Sequence, residues 1–184
     1  MKNIYAIDVG AFKIAVCYAS IPQPLDQING LFLKEQVCDE IAVRTGSKEQ
    51  RVSFPCVPGG LRSFWGGNDL IQTGTGAFLA NSIITELLRD MWVSLEKDRS
   101  DTQNFANASW VDESFTTIGY PFGWNELRKN AYLKVVEQAG FPNVSLVDEA
   151  SAFLAYFERY HREEFSGQKG ILVYDLGSAS LSIA

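Results

Sequence analysis

The chain opens with Ile4-Tyr5-Ala6-Ile7-Asp8-Val9-Gly10, an apolar run that ends in an aspartate, one further apolar residue and a glycine. The same design returns near the other end as Tyr174-Asp175-Leu176-Gly177. Each glycine permits a tight turn whose backbone amides can converge on an anion. The aspartate is repelled by a bare phosphate, but it can hold Mg²⁺ through water, and the metal then bridges to phosphate oxygens. One such turn is weak as a signal, whereas two that face each other predict a metal–polyphosphate site.

The residues around the first motif predict a meander of three antiparallel strands. Residues 4–9 and 14–19 are apolar and rich in β-formers, and a tight turn at Gly10-Ala11-Phe12 joins them. Residues 31–37 are a plausible third strand. The next segment is harder to interpret, and we expect an irregular, helical insertion there.

Helices and strands alternate in the rest of the chain. The first predicted helix has a buried stripe at Ile84, Leu87, Leu88, Met91, Trp92 and Leu95, and a polar loop at 97–109 follows it. A strand at 115–118 and a helix from the Asn125 cap to about 139 come next. The last predicted elements are a strand at 144–147, a helix at 150–161 and a strand at 171–174. Gly140 stops the second helix, and the continuous apolar run at 171–174 is typical of a strand buried on both faces. This order predicts an α/β fold, a mixed sheet flanked by helices.

Composition limits the partners and the compartment. The 184 residues carry a formal net charge of −6, which disfavours nucleic acid and anionic membranes as general partners. Cys17, Cys38 and Cys56 have no C-x-x-C spacing, so neither a disulfide framework nor a zinc site is indicated. The sequence shows no secretory signal and no apolar run of about 18 residues, the length that a membrane span needs. Together these features predict a cytoplasmic protein.

Three stretches resemble the actin-like ATPase superfamily and, within it, the seventy-kilodalton heat-shock chaperones of the DnaK type. The two Asp-x-Gly motifs are similar to the family's two phosphate motifs. Between them, residues 118–128 and 143–156 are similar to the connecting segment, and Asp148-Glu149-Ala150-Ser151-Ala152-Phe153-Leu154-Ala155-Tyr156 is the most specific piece. The likeness covers a little under half of the chain.

The resemblance implies a ribonuclease H-like mixed five-stranded sheet, with three antiparallel strands followed by β-α-β-α, and a small insertion subdomain. Residues 1–38 and 113–168 would form the core of a first lobe, residues 39–112 the insertion, and residues 169–184 the first strand of a truncated second lobe. On this basis we expect the chain to be a fragment of a longer protein, and the isolated fragment to be inactive.

The resemblance also assigns site residues position by position. Asp8 and Asp175 would hold Mg²⁺ through water, and Glu149 would lie near the metal and the attacking water, which makes these three the catalytic candidates. The phosphates of ATP or ADP would meet two turns, formed by Gly10, Ala11, Phe12 and the nearby Lys13, and by Gly177, Ser178 and Ala179. Glu149 has a second interpretation, because an acid in the first turn of a helix is stabilising by itself.

The chain departs from the family at both turns. Ala11 and Phe12 stand where the chaperones have hydroxyl residues, and the run Ser178-Ala179-Ser180-Leu181-Ser182 replaces a Gly-rich run with a further aspartate. These departures leave the fold and nucleotide binding intact as expectations and put hydrolysis in question.

The function implied by the resemblance is that of an ATP-driven chaperone, with unfolded client polypeptides and co-chaperones as partners of the full-length protein. The alternatives are an actin-like filament-forming ATPase and a degenerate, non-hydrolysing relative that serves as a scaffold. We also expect the last strand to pair with another edge or to self-associate, since an apolar unpaired strand invites such contacts.

Overall fold

A computed structural model describes residues 2–10, 13–21, 32–37, 40–45, 48–53, 65–67, 69–73, 76–102, 114–165, 170–176 and 181–183. Within these residues the elements, in chain order, are β1 Lys2–Val9, β2 Lys13–Ile21, β3 Phe32–Val37, β4 Glu40–Thr45, β5 Lys48–Ser53, β6 Leu70–Thr73, β7 Gly76–Leu79, α1 Ala80–Thr102, β8 Phe115–Tyr120, α2 Glu126–Gln138, β9 Val144–Asp148, α3 Glu149–Tyr160, α4 Arg162–Phe165, β10 Tyr174–Leu176 and β11 Leu181–Ile183.

The main sheet has five strands in the order β3-β2-β1-β8-β9. β1, β2 and β3 pair antiparallel, as expected for strands joined by short turns. β8 pairs parallel with β1, and β9 pairs parallel with β8. Parallel neighbours need a crossover connection, and α2 supplies one between β8 and β9. The predicted α/β fold with a sheet of mixed strand orientation is confirmed.

One face of this sheet carries the hydrophobic core. Tyr5, Ile7 and Val9 alternate along β1 and are buried, because successive side chains of a strand point to opposite faces. The ring of Tyr5 meets Trp92 of α1 edge-on, with 5.1 Å between ring centroids. The predicted stripe of α1 is buried at Ile84, Leu87, Leu88, Met91 and Leu95, and Trp92 packs against it partly buried.

Two sequence predictions, about the end of α1 and about the insertion, were wrong. Residues 97–102 belong to α1 and not to a loop. Lys97 is exposed, and lysine and arginine are good helix formers, so a polar run of this kind can extend a helix. The insertion is not only helical and irregular, because it contains the hairpins β4–β5 and β6–β7.

The apolar run at 171–174 does not form a strand that is buried on both faces. Val173 is only 8% exposed, but Leu172 is 59% and Tyr174 64% exposed. The strand begins at Tyr174 and pairs antiparallel with β11. The apolar composition of this run therefore does not mean that both of its faces are buried.

Within the described residues, no helix combines the length and the apolarity that a membrane crossing requires.

The predicted ends of α2 are confirmed. Asn125 is the N-cap, and its side-chain oxygen accepts a 2.9 Å hydrogen bond from the Arg128 N–H. Gly140 follows the C-cap with φ +105°. A Cβ at Gly140 would lie 3.1 Å from Cδ1 of Trp92, which is shorter than an ordinary van der Waals contact. Gly140 thus ends the helix and also lets it pass close to α1.

We predict that Gly140→Ala lowers the free energy of unfolding by two separable contributions. The positive φ should cost about 1–2 kcal/mol, and the contact with Trp92 should add about 1–3 kcal/mol of overpacking. Gly123→Ala is the matched control, because Gly123 has φ +87° but no atom within 4 Å of its Cβ position. Urea unfolding should show a larger loss for Gly140→Ala than for Gly123→Ala. Equal losses would contradict the close approach to Trp92.

Candidate functional site

Three parallel strands end at the same edge of the main sheet. Ile7 pairs with Ile118, and Gly119 pairs with Val147. Asp8 therefore lies at the carboxyl end of β1, beside Gly119 of β8, and Glu149 follows directly after the last residue of β9. In open α/β sheets, ligands bind outside the carboxyl ends of the strands.

A cavity of about 650 Å³ lies at this edge and extends over the face of the sheet opposite to the hydrophobic core. It brings together three of the predicted site residues, Asp8, Gly10 and Glu149. The residues that line it are Ala6, Ile7, Asp8, Gly10, Ala15, Cys17, Thr117, Gly119, Phe122, Val147, Glu149, Ala150, Ala152, Phe153, Val173 and Tyr174.

The floor of the cavity is made of small side chains. Strand alternation puts Ala6 and Asp8 on the face opposite to Tyr5 and Ile7. The register then sets Ala15 beside Asp8 and Cys17 beside Ala6. Small residues on neighbouring strands leave the volume that bulkier side chains fill on the other face.

The first Asp-x-Gly turn is held by a hydrogen bond within the hairpin. The Gly10 N–H donates to the Lys13 carbonyl oxygen over 2.8 Å, and a Cβ at Gly10 would lie 3.0 Å from that oxygen. The Gly10 N–H is therefore engaged inside the turn. Lys13 is exposed at the start of β2 and does not line the cavity. Ala11 and Phe12 lie outside the described residues.

The second Asp-x-Gly motif begins beside the same cavity. Val173 and Tyr174, which precede Asp175, both line it. The backbone of Asp175 lies in β10 opposite Ser182. The side chain of Asp175 and all of Gly177, Ser178 and Ala179 lie outside what the structure describes. That Asp8 and Asp175 face each other therefore stays a prediction.

Glu149 occupies the first turn of α3, directly after the N-cap residue Asp148. The Ser151 N–H donates to Oδ1 of Asp148 over 2.8 Å. Hydrogen bonding with Ser151, first through its side chain and then through its backbone, holds the pKa of Asp148 below its ordinary value. Asp148 thus serves the helix, while half-buried Glu149 lines the cavity.

Sequence reasoning missed Thr117, Gly119 and Phe122 as cavity residues. The Thr117 hydroxyl lies 3.3 Å from the Ser145 hydroxyl of the neighbouring strand. A glycine near the end of a predicted strand is the one signal that could have marked this place, because such a glycine often accompanies a close approach.

The described lining of the cavity is acidic. Asp8 and Glu149 contribute carboxylates, and no lysine, arginine or histidine is among the described lining residues. Nor do the described residues contain a group of three or more side chains that could hold a metal ion. Any metal here would depend on few protein ligands, together with water and a bound anion.

Comparison with known proteins gives a sequence match to one curated protein and matches to distant solved structures. No protein-family model matches the chain. Heat shock 70 kDa protein 14 of Danio rerio is 35% identical to it over 83 residues. The predicted resemblance to the heat-shock 70 kDa proteins is confirmed. The matched part is 45% of this chain and 16% of that protein, so the chain spans only a small part of its heat-shock 70 relative. The crystal structure of MreB5 of Spiroplasma citri bound to ADP aligns with 100% of this chain and 48% of that chain, at 15% identity and a TM-score of 0.48.

We predict that the Asp148 cap stabilises the fold in a pH-dependent way. Asp148→Ala should lower the free energy of unfolding by about 1 kcal/mol at pH 7, because the α3 N-cap is lost. A carboxylate whose pKa is depressed by folding stabilises the native state above its unfolded pKa, and this contribution is lost as the pH falls through the folded pKa. The difference between wild type and Asp148→Asn should therefore shrink in acid.

The control is the uncharged cap of α2. Asn125→Ala removes an acceptor that does not titrate, so its cost should stay constant over the same acid range. Urea unfolding of the four proteins from pH 7 to pH 3 makes the comparison. A pH-independent difference between wild type and Asp148→Asn would contradict the assigned hydrogen bonding.

Proposed function

We propose that the chain forms a ribonuclease H-like first lobe of a heat-shock 70-like ATPase and contributes one wall of a Mg-ATP site. The observation that carries this proposal is the meeting of Asp8, Gly10 and Glu149 at one cavity. Asp8 and Gly10 belong to the first phosphate-like motif and Glu149 to the connecting segment, far apart in the sequence. The strand order β3-β2-β1-β8-β9 supports the ribonuclease H-like assignment.

The acidic lining fits Mg²⁺. This ion prefers carboxylate oxygens and is usually held by one or two carboxylates, with waters and substrate phosphates completing its shell. Asp8 supplies such oxygens, Asp175 is the proposed second carboxylate, and Glu149 is proposed to lie near the metal and the attacking water. Bound Mg²⁺ would supply charge neutralisation at the phosphates. Without it, the described lining would repel a polyphosphate.

The protein groups have separate proposed roles. The hydrogen bond from Gly10 to Lys13 engages the Gly10 N–H within the turn. The amides of Ala11 and Phe12 would then be the ones to meet a phosphate. Asp8 would hold the metal through water. Glu149 would orient and deprotonate the attacking water, the role of a general base. Gly177, Ser178 and Ala179 would form the opposing phosphate turn.

The wider role proposed for the full-length protein is that of a cytoplasmic chaperone that acts on unfolded polypeptides with co-chaperones. The match to a heat-shock 70 kDa protein supports this role over filament formation, and the hydrolysis measurements described below separate it from a non-hydrolysing scaffold. The division into residues 1–38 with 113–168, residues 39–112 and residues 169–184 belongs to the same proposal. So does self-association through the C-terminal strand.

We predict that Asp8 and Glu149 separate binding from hydrolysis in the full-length protein. Asp8→Asn should weaken Mg-ATP binding about tenfold or more, since a charge that favours the metal is lost. Glu149→Gln should leave the Kd of Mg-ATP almost unchanged and lower kcat by about a hundredfold or more, the usual contribution of a general base. Calorimetric titration and steady-state phosphate release give the two readouts.

The matched control is Glu158→Gln, because Glu158 lies on the exposed part of the same helix as Glu149. This change should leave both binding and hydrolysis at wild-type values. Magnesium-independent ATP binding that survives Asp8→Asn would contradict the proposed site. ATP binding that depends on Asp8 without any hydrolysis would favour the alternative in which the protein binds nucleotide but does not hydrolyse it.

A further inference from the structure

We propose that Gly119 is a positioning residue for Glu149, and this inference rests on the proposed function of Glu149 in hydrolysis. Gly119 lies in β8, between the end of β1 that carries Asp8 and the end of β9 that leads into Glu149. Its missing side chain leaves the space that the Glu149 side chain uses. Gly119 touches no substrate in this proposal, since it acts only through Glu149.

The geometry shows how closely the glutamate approaches the strand. A Cβ built at Gly119 would lie 3.3 Å from Cγ of Glu149 and 3.8 Å from its Oε1. The same Cβ would lie 3.8 Å from the carbonyl oxygen of Ile7, the residue before Asp8. The glutamate therefore lies against the backbone of β8 and beside the end of β1.

The backbone does not explain why this residue is glycine. The described glycines with positive φ are Gly66, Gly76, Gly123 and Gly140, and Gly119 is not among them. Glycine in an extended strand is unfavourable, because it loses more conformational freedom on folding than other residues and offers no side chain to pack. The 3.3 Å hydrogen bond from the Tyr132 hydroxyl uses only the carbonyl oxygen of Gly119, which any residue would supply. The close approach of Glu149 is the described contact that a side chain at position 119 would disturb.

A side chain at position 119 should displace Glu149 in proportion to its size. Alanine would press on a flexible glutamate side chain, which can shift by a few tenths of an ångström. Valine would add two methyl groups while keeping a residue that strands favour. The displacement should lower the rate and spare nucleotide binding, because a misplacement of about 1 Å costs a catalytic group on the order of a hundredfold in rate.

The test combines kinetics and nuclear magnetic resonance on the full-length protein. Gly119→Val should lower kcat about a hundredfold, with a smaller loss for Gly119→Ala and with the Kd of Mg-ATP changed by no more than about twofold. In the Glu149→Gln background, Gly119→Val should lower kcat no further, since residues that act as one unit are not additive. Gly170→Ala is the control, because Gly170 is exposed with no atom within 4 Å of its Cβ position, and it should keep wild-type kinetics.

The resonance experiment needs no nucleotide. The wild type should show a nuclear Overhauser contact between Hα of Gly119 and Hγ of Glu149. The absence of this contact would overturn the proposal. Full activity in a folded Gly119→Val variant, where Glu149→Gln is impaired, would overturn it as well. If Glu149→Gln itself leaves hydrolysis unchanged, the proposed function has failed. The contact then decides separately whether Gly119 places Glu149.

Discussion

The parallel pairing of β1, β8 and β9 is the constraint on which the site depends. Parallel strands place their carboxyl ends at one edge, and the register fixes which residues become neighbours there. Ile7 beside Ile118, and Gly119 beside Val147, bring Asp8 and the start of α3 together. A slip of one residue in either pairing would reverse the faces of the strand and remove Asp8 or Gly119 from the cavity. The relative positions of Asp8, Gly119 and the start of α3 are therefore fixed by the register of the sheet.

One face of the sheet carries the hydrophobic core, and the other carries the candidate site. One face packs Tyr5, Ile7 and Val9 against α1 and α2, and fully burying such side chains contributes roughly 1.5–3 kcal/mol each. The other face carries Ala6 and Ala15, which contribute less by burial and leave a cavity open. The same β1 strand serves both purposes, because its side chains alternate.

Local signals in the sequence were enough to predict much of the fold. The Asn125 cap, the Gly140 stop and the apolar stripe of α1 each lie within a single helix or at its ends, and all are present in the structure. Predictions that depend on tertiary surroundings were less accurate. Residues 171–174 have the composition of a doubly covered strand, yet only Val173 is covered, because composition does not say what packs on either side.

The candidate site shows the same limit. Asp8, Gly10 and Glu149 were found through motifs, and the cavity brings them together. Gly119 lies in the stretch 118–128 that resembles the connecting segment, but the resemblance gave it no role, because its proposed role comes from a side chain that is close in space and distant in sequence. The pairing of strands across the sheet had to be known before Gly119 could be connected with Glu149. The placement of the Asp175 side chain stays a prediction.

The charge of the cavity sets the condition for the proposed ligand. Two like unit charges 4 Å apart repel by about 4 kcal/mol when the effective dielectric constant is near 20. A polyphosphate beside Asp8 and Glu149 would meet such repulsion, and the described lining residues offer no cationic side chain to offset it. Backbone amides can offset part of it, and a divalent cation between carboxylate and phosphate reverses its sign. In the proposed site, an acidic wall of this kind would therefore favour the metal complex over free nucleotide.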